Sequence, residues 1–286
     1  HLLASVLVHP NFDHLSILIE HDLSETHLPQ KSLDQFWQSW FKTRHARLGT
    51  ILLKQGAPAS QPREVFLISR LYLDISPSRF RLTSSDIFLL VVTLADLDPK
   101  ISSAAQRILS ELRTPALIDI ICKIWTQKRS KLLENILLDS GYIAKSDPAA
   151  RVLTALLQDN GDILVHSYPE MISPLSDACL DSNSLLASRA QKYVKHLQNQ
   201  QSIDQLCALW AQYRARPLEE ALLYAHYLPR TPPHLRILCA LKTGNIQIVQ
   251  KCPPSWLQDL VSACKDNDEQ ISALAYQAAC SLESAQ

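Results

Sequence analysis

Apolar residues recur along this chain at helical spacing, in one short run after another. Between Asp98 and Ser110, Ile101, Ala104, Ala105 and Ile108 form a stripe that Leu112 continues, while Ser103, Gln106, Arg107 and Ser110 lie opposite. Intervals of three and four residues predict an amphipathic α-helix. Asp98-Pro99 marks its start, with an aspartate to cap the first amides and a proline where a missing N–H costs nothing. Thr114-Pro115 opens a second helix, which carries Leu117, Ile120, Ile121 and Ile124 towards Trp125. A third is predicted from Leu132 to Leu138, stopped by Gly141. Asp147-Pro148 opens a fourth through Val152, Leu153 and Leu156, and a brief helix near Ile163 and another from Ile172 to Leu180 complete the series. No segment reads as a strand.

The same series is written three times. Trp40, Trp125 and Trp210 are each followed four residues later by Arg44, Arg129 and Arg214. Leu48, Leu133 and Leu218, then Leu71, Leu156 and Leu241, keep the same offset of 85 without a gap. Self-similarity at a fixed period predicts stacked repeats. The expected architecture is therefore all-α, a single domain over 1–286 with three tandem units at 13–97, 98–182 and 183–267. A partial unit at 1–12 precedes them and a closing helix at 268–286 follows. The third unit keeps its stop signals, with Pro232-Pro233 ahead of Leu235 to Leu241 and Gly244 after. The first is the most diverged, with Pro62 and Phe66 to Leu71 in the equivalent places. Because the pattern runs to both ends, the chain is expected to be a region of a larger multidomain protein.

The joins carry a more specific pattern. Residues 172–197 read Pro174-Leu175, Cys179, Asp181, Asn183, Leu186, Arg189-Ala190, Val194 and Leu197. This resembles a HEAT repeat, in which an apolar first helix and an Asp/Asn turn lead into a second helix with an Arg-Ala pair. The pattern returns at 87–112 and 257–282, with a faded version around Leu7 and Asp13. Arg151 to Leu156 and Arg236 to Leu241, with the upstream Trp-x-x-x-Arg, are similar to helical-repeat regions that accompany WD-repeat propellers in large bacterial proteins. The resemblance implies a HEAT/armadillo-like α-α superhelix, a right-handed solenoid whose second helices line a concave binding face.

Composition narrows the function classes. Only 5 of 286 residues are glycine, so the Gly-rich loops that cradle phosphates in nucleotide enzymes are missing. Formal net charge is zero, with 28 basic and 28 acidic residues, which argues against wholesale polyanion binding. Residues 183–267 alone are basic, with 10 cationic and 5 acidic side chains. Seven cysteines form no C-x-x-C pair; Cys122 with Cys207, and Cys179 with Cys264, share repeat positions and read as small core residues of a reducing, cytoplasmic compartment. His9, His14, His21 and His27 lack the spacing of a helical zinc site. No catalytic motif, cofactor site, metal site or membrane span is expected.

Three features could bind something. A Trp and an Arg four apart share a helical face, where they can stack or sandwich a planar ligand; the structural alternative is a core indole covered by its arginine. Arg44, Arg129 and Arg214, with neighbours Lys42, Arg47, Lys128, Lys131 and Arg216, could form rungs of a basic stripe. Finally, Gln106 and Arg107 on one second helix match Gln191, Lys192 and Lys195 on the next, a mildly basic groove against the alternative of an ordinary solvated face. The preferred expectation is a non-catalytic scaffold taking a protein or peptide partner on its concave face. Nucleic-acid binding along the stripe, as in HEAT-like DNA-repair glycosylases, is the alternative; a HEAT-like enzyme such as a pigment lyase is the second.

Overall fold

The computed structural model describes residues 21–23, 26–75 and 81–283. His9, His14, the expected partial unit at 1–12 and the pattern around Leu7 and Asp13 lie outside the described residues. All regular structure among the described residues is helical. The chain divides into two compact bodies, His1–Ile121 and Cys122–Gln286, and the division falls inside the helix Pro115–Lys128.

Helix bounds recur with the register of the residues. Tryptophan-bearing helices occupy Gln30–Thr43, Pro115–Lys128 and Gln200–Tyr213. Each is followed by a second helix, at Ala46–Gln55, Lys131–Ser140 and Arg216–Ala225, and by a third, at Arg63–Tyr72, Pro148–Leu157 and Pro233–Lys242. Every start and stop in these series returns at an offset of 85. Further along, Pro99–Ser110, Ser184–Tyr193 and Glu269–Glu283 also begin at that interval. Side chains set the starts: Asp98 accepts from the Lys100 amide, Asp147 from Ala150, Asn183 from Leu185, and Thr83 with Asp86 forms a capping box. The helix expected from Ile172 to Leu180 runs instead over Pro169–Ala178, because Tyr168-Pro169 supplies an earlier N-terminal proline.

Indoles make the core of these series. Trp125 and Trp210 are fully buried and Trp40 nearly so, as are Leu48, Leu133 and Leu218. The four-residue echo, however, does not sit on one helical face. Arg44, Arg129 and Arg214 are the residues just past each helix, held left-handed at φ 52°, 50° and 52°. Each donates its amide to the tryptophan carbonyl, at 2.6, 2.8 and 2.7 Å. Glycine is the usual occupant of that position, since a Cβ there costs about 1 kcal/mol. Arginine stands there because its side chain has two partners to reach, the preceding indole and an aspartate further along the chain.

A hydroxyl position shows the same logic in the connecting loops. Ser69 and Thr154 accept the buried amides of Ala59 and Ala144, both at 3.0 Å. The equivalent of those alanines is Pro229, which has no N–H, and the equivalent of the hydroxyl is Cys239, fully buried. With no donor to satisfy, the polar oxygen is dispensable. Cys122, Cys179 and Cys207 are buried too, and burial pushes the Cys179 thiol up to about 12.

Candidate interaction surface

Each left-handed arginine closes a clasp. The Arg44, Arg129 and Arg214 guanidinium carbons lie 4.7, 5.2 and 4.6 Å from the centre of the preceding indole. Their Nη2 atoms donate to Asp96, Asp181 and Asp266 at 2.8, 2.8 and 2.7 Å. The other carboxylate oxygen of each aspartate accepts the amide two residues on, at Asp98, Asn183 and Asp268. Those three side chains then accept amides at the start of the next helix. One chain of contacts thus ties the end of a tryptophan helix to the beginning of a helix far downstream. The aspartates are nearly buried while the arginines keep about a third of their side-chain surface.

This geometry changes what the basic stripe can offer. The stacking pair is an arginine lid over a core indole, with no room between them for a planar ligand. Lys131 pairs with Glu134, and Arg216 with Glu220 at 3.1 Å. Most of the cations that gather behind each tryptophan therefore already face carboxylates.

Helices Pro99–Ser110 and Ser184–Tyr193 present the other expected residues. Ser103, Gln106, Arg107 and Ser110 are all exposed, as are Ser188 and Lys192; Gln191 and Lys195 are half-buried. Their roles differ. Arg107 is ion-paired with Asp74, Gln191 donates to the Cys179 carbonyl at 2.9 Å, and Lys195 lies 3.9 Å from Glu220. Lys192 rests 4.9 Å from the Tyr193 ring and, with Arg189, favours the charged form of Asp159. Within this helix Tyr193 is anchored in turn: its hydroxyl donates to Asp159 at 2.6 Å, and its ring fills the space a side chain at Gly161 would need. The Tyr193 hydrogen bond, aided by Arg189 and opposed by burial, holds the Asp159 carboxyl below its usual range.

Sequence reasoning missed a set of exposed leucines. Leu53, Leu138 and Leu223 occupy equivalent positions and keep 38%, 41% and 40% of their surface exposed. Read from the sequence, each belongs to an apolar run and looks like core; only the offset of 85 marks them as a set. In the first body Leu53 floors a cleft of about 600 Å³, with Tyr72, Lys100, Ser103, Ala104 and Arg107 around it. Leu185 on the Ser184–Tyr193 helix is likewise 48% exposed. His196 and Tyr224 pack edge to face with centroids 5.6 Å apart, and Tyr224 is largely exposed.

Among the described residues no trio of His, Cys, Asp or Glu could hold a metal ion, and no helix is long and apolar enough to cross a membrane. The described residues thus define an all-helical protein with recurring, side-chain-clasped helices. The chain matches no family model, and neither curated proteins nor solved structures provide a match.

Proposed function

We propose that the chain is a helical-repeat scaffold. In this reading three 85-residue units, 13–97, 98–182 and 183–267, stack as a HEAT/armadillo-like superhelix, the kind of array that builds extended binding surfaces. The observation that supports it is the return of helix bounds and of the Trp–Arg–Asp clasp at one interval. Such a device adds stability to each repeat without adding chemistry, and its triple use suits a non-catalytic framework. The working surface would be the second helices, which carry Arg107 in the first body and Lys192 in the second, with the recurring exposed leucines Leu53, Leu138 and Leu223 as apolar anchors. A protein or peptide segment with apolar anchors and acidic flanks fits it best. Seven free cysteines, most of them buried, suit a reducing, cytoplasmic setting.

Lys192 is the probe of choice, since it is exposed and makes no direct ion pair among the described residues, whereas Arg107 and Lys195 face Asp74 and Glu220. Affinity capture with the wild-type chain, Lys192→Glu and Leu138→Gln should show partner recovery falling by about tenfold in both variants, at unchanged helix content. Equal recovery from all three would remove this face from consideration. The nucleic-acid alternative has fewer free charges to draw on, since Arg44, Arg129, Lys131, Arg214 and Arg216 face carboxylates.

A further inference from the structure

Five tryptophans are present, and four of them, Trp37, Trp40, Trp125 and Trp210, are buried. The fifth, Trp256, is half-exposed on the wall of a cavity of about 570 Å³ in the second body. Helix Pro233–Lys242 contributes Arg236 to this cavity, helix Ile246–Gln250 and its end contribute Gln247 and Lys251, and Asn245 precedes them. No acidic residue lines it. Among the described residues neither Arg236 nor Lys251 has a carboxylate or hydrogen-bonding partner for its side chain, and the Arg236 Nε is buried without one.

The equivalent place 85 residues earlier acts as an internal control, because its helix bounds are the same. Arg151 stands for Arg236, with its Nε likewise buried and unpartnered, so the arginine belongs to the scaffold. The company differs. Asp162 is replaced by Gln247, His166 by Lys251, and the buried Met171 by Trp256. Asn160 spends its side chain capping its own helix at Ile163, whereas Asn245 makes no such bond and its amide stays available. Each change removes negative charge, adds positive charge, frees a hydrogen-bonding group or brings a flat ring to the surface. The fold needs none of them, since the other copy does without.

We propose that this cavity binds a small planar anion, an aromatic ring bearing a phosphate, of which a nucleoside monophosphate is the representative. The ring would stack on Trp256, as bases do on exposed indoles. Phosphate oxygens would take donors from the outer guanidinium nitrogens of Arg236 and from Lys251. Cys252, at the edge, is a protonated thiol because burial pushes it above its ordinary range, so it adds no competing negative charge. The site is independent of the scaffold reading and would stand if that reading failed.

All five tryptophans emit, so the signal of the site in the intact chain is the part of the emission that Trp256→Phe removes. Titration with adenosine 5′-monophosphate should quench it saturably below about 1 mM. Adenosine without its phosphate should bind at least about tenfold more weakly, and inorganic phosphate should compete. Arg236→Gln and Gln247→Asp should each weaken binding by about tenfold. The latter is a surface change to the residue type of the other copy and leaves the fold intact. Absence of saturable quenching at about 1 mM, or equal affinity in wild type and both variants, would overturn the proposal.

Discussion

Arginine at a left-handed helix end is the residue-scale oddity, and its cost can be measured. Arg129→Ala keeps the unfavourable φ of 50° and loses both the indole stack and the bond to Asp181. A stack of this kind contributes about 0.5–1 kcal/mol and a half-exposed ion pair about 1 kcal/mol. Arg129→Ala is therefore expected to cost about 2 kcal/mol. Arg129→Gly loses the same contacts but relieves about 1 kcal/mol of backbone strain, so it should cost about half as much. Thermal melts should rank wild type above glycine above alanine; equal melting of the two variants would mean the strain is not there. A second residue-scale test concerns the hydroxyl at Thr154. Thr154→Val strands the buried Ala144 amide and should cost about 1–3 kcal/mol in chemical unfolding.

Among elements, one buried cation shows how the copies diverge without changing shape. Lys242 is nearly buried and bridges Glu219 at 2.9 Å and Asp268 at 2.6 Å, joining the helices Arg216–Ala225, Pro233–Lys242 and Glu269–Glu283. At the equivalent places stand Glu134, Leu157 and Asn183, so there the carboxylate count is lower and no bridging lysine is required. Lys242→Leu alone leaves two carboxylates close together and should destabilise by about 2–3 kcal/mol. Adding Asp268→Asn recreates the composition of the other copy, and equilibrium urea unfolding should show more than half of that loss recovered. No recovery would place Lys242's value in packing. This level was largely legible in the sequence: proline and Asp/Asn starts, glycine stops and apolar stripes located the helices to within a few residues. The clasp was half legible. Its Trp–Arg spacing was visible, but the arginine is not helical and its aspartate lies 52 residues on, a pairing that only tertiary contact reveals. The Trp256 cavity was not legible, because a lone tryptophan outside the repeated motif carries no periodic signal.

At the scale of the whole molecule, the carboxylates scattered through both bodies set the response to acid. Burial would raise Asp86, but the Arg63 guanidinium and the Thr83 amide and hydroxyl outweigh it and hold the carboxyl below its usual range. Asp34 is held low against burial by the Ser60 hydroxyl and amide and by Gln30; Asp268 is held low against burial by Lys242 and two backbone amides. In the unfolded chain an aspartate titrates near about 3.9, so just below that pH the unfolded state binds more protons than the native one. Stability from these groups is thus fully present above about pH 4 and is lost as pH falls through their depressed native values. Lys242 has the opposite sense. Its two carboxylates raise it although burial works against them, so its contribution holds below about pH 10.4 and fades as pH climbs through the higher native value. Unfolding midpoints in urea should therefore be flat through neutrality and drop on both sides. Asp86→Asn, which loses the charged pair with Arg63, should start lower at pH 7 and fall less steeply towards pH 2. A variant whose acid limb parallels the wild type would show that Asp86 does not titrate with folding, and that the acid response lies with the other carboxylates.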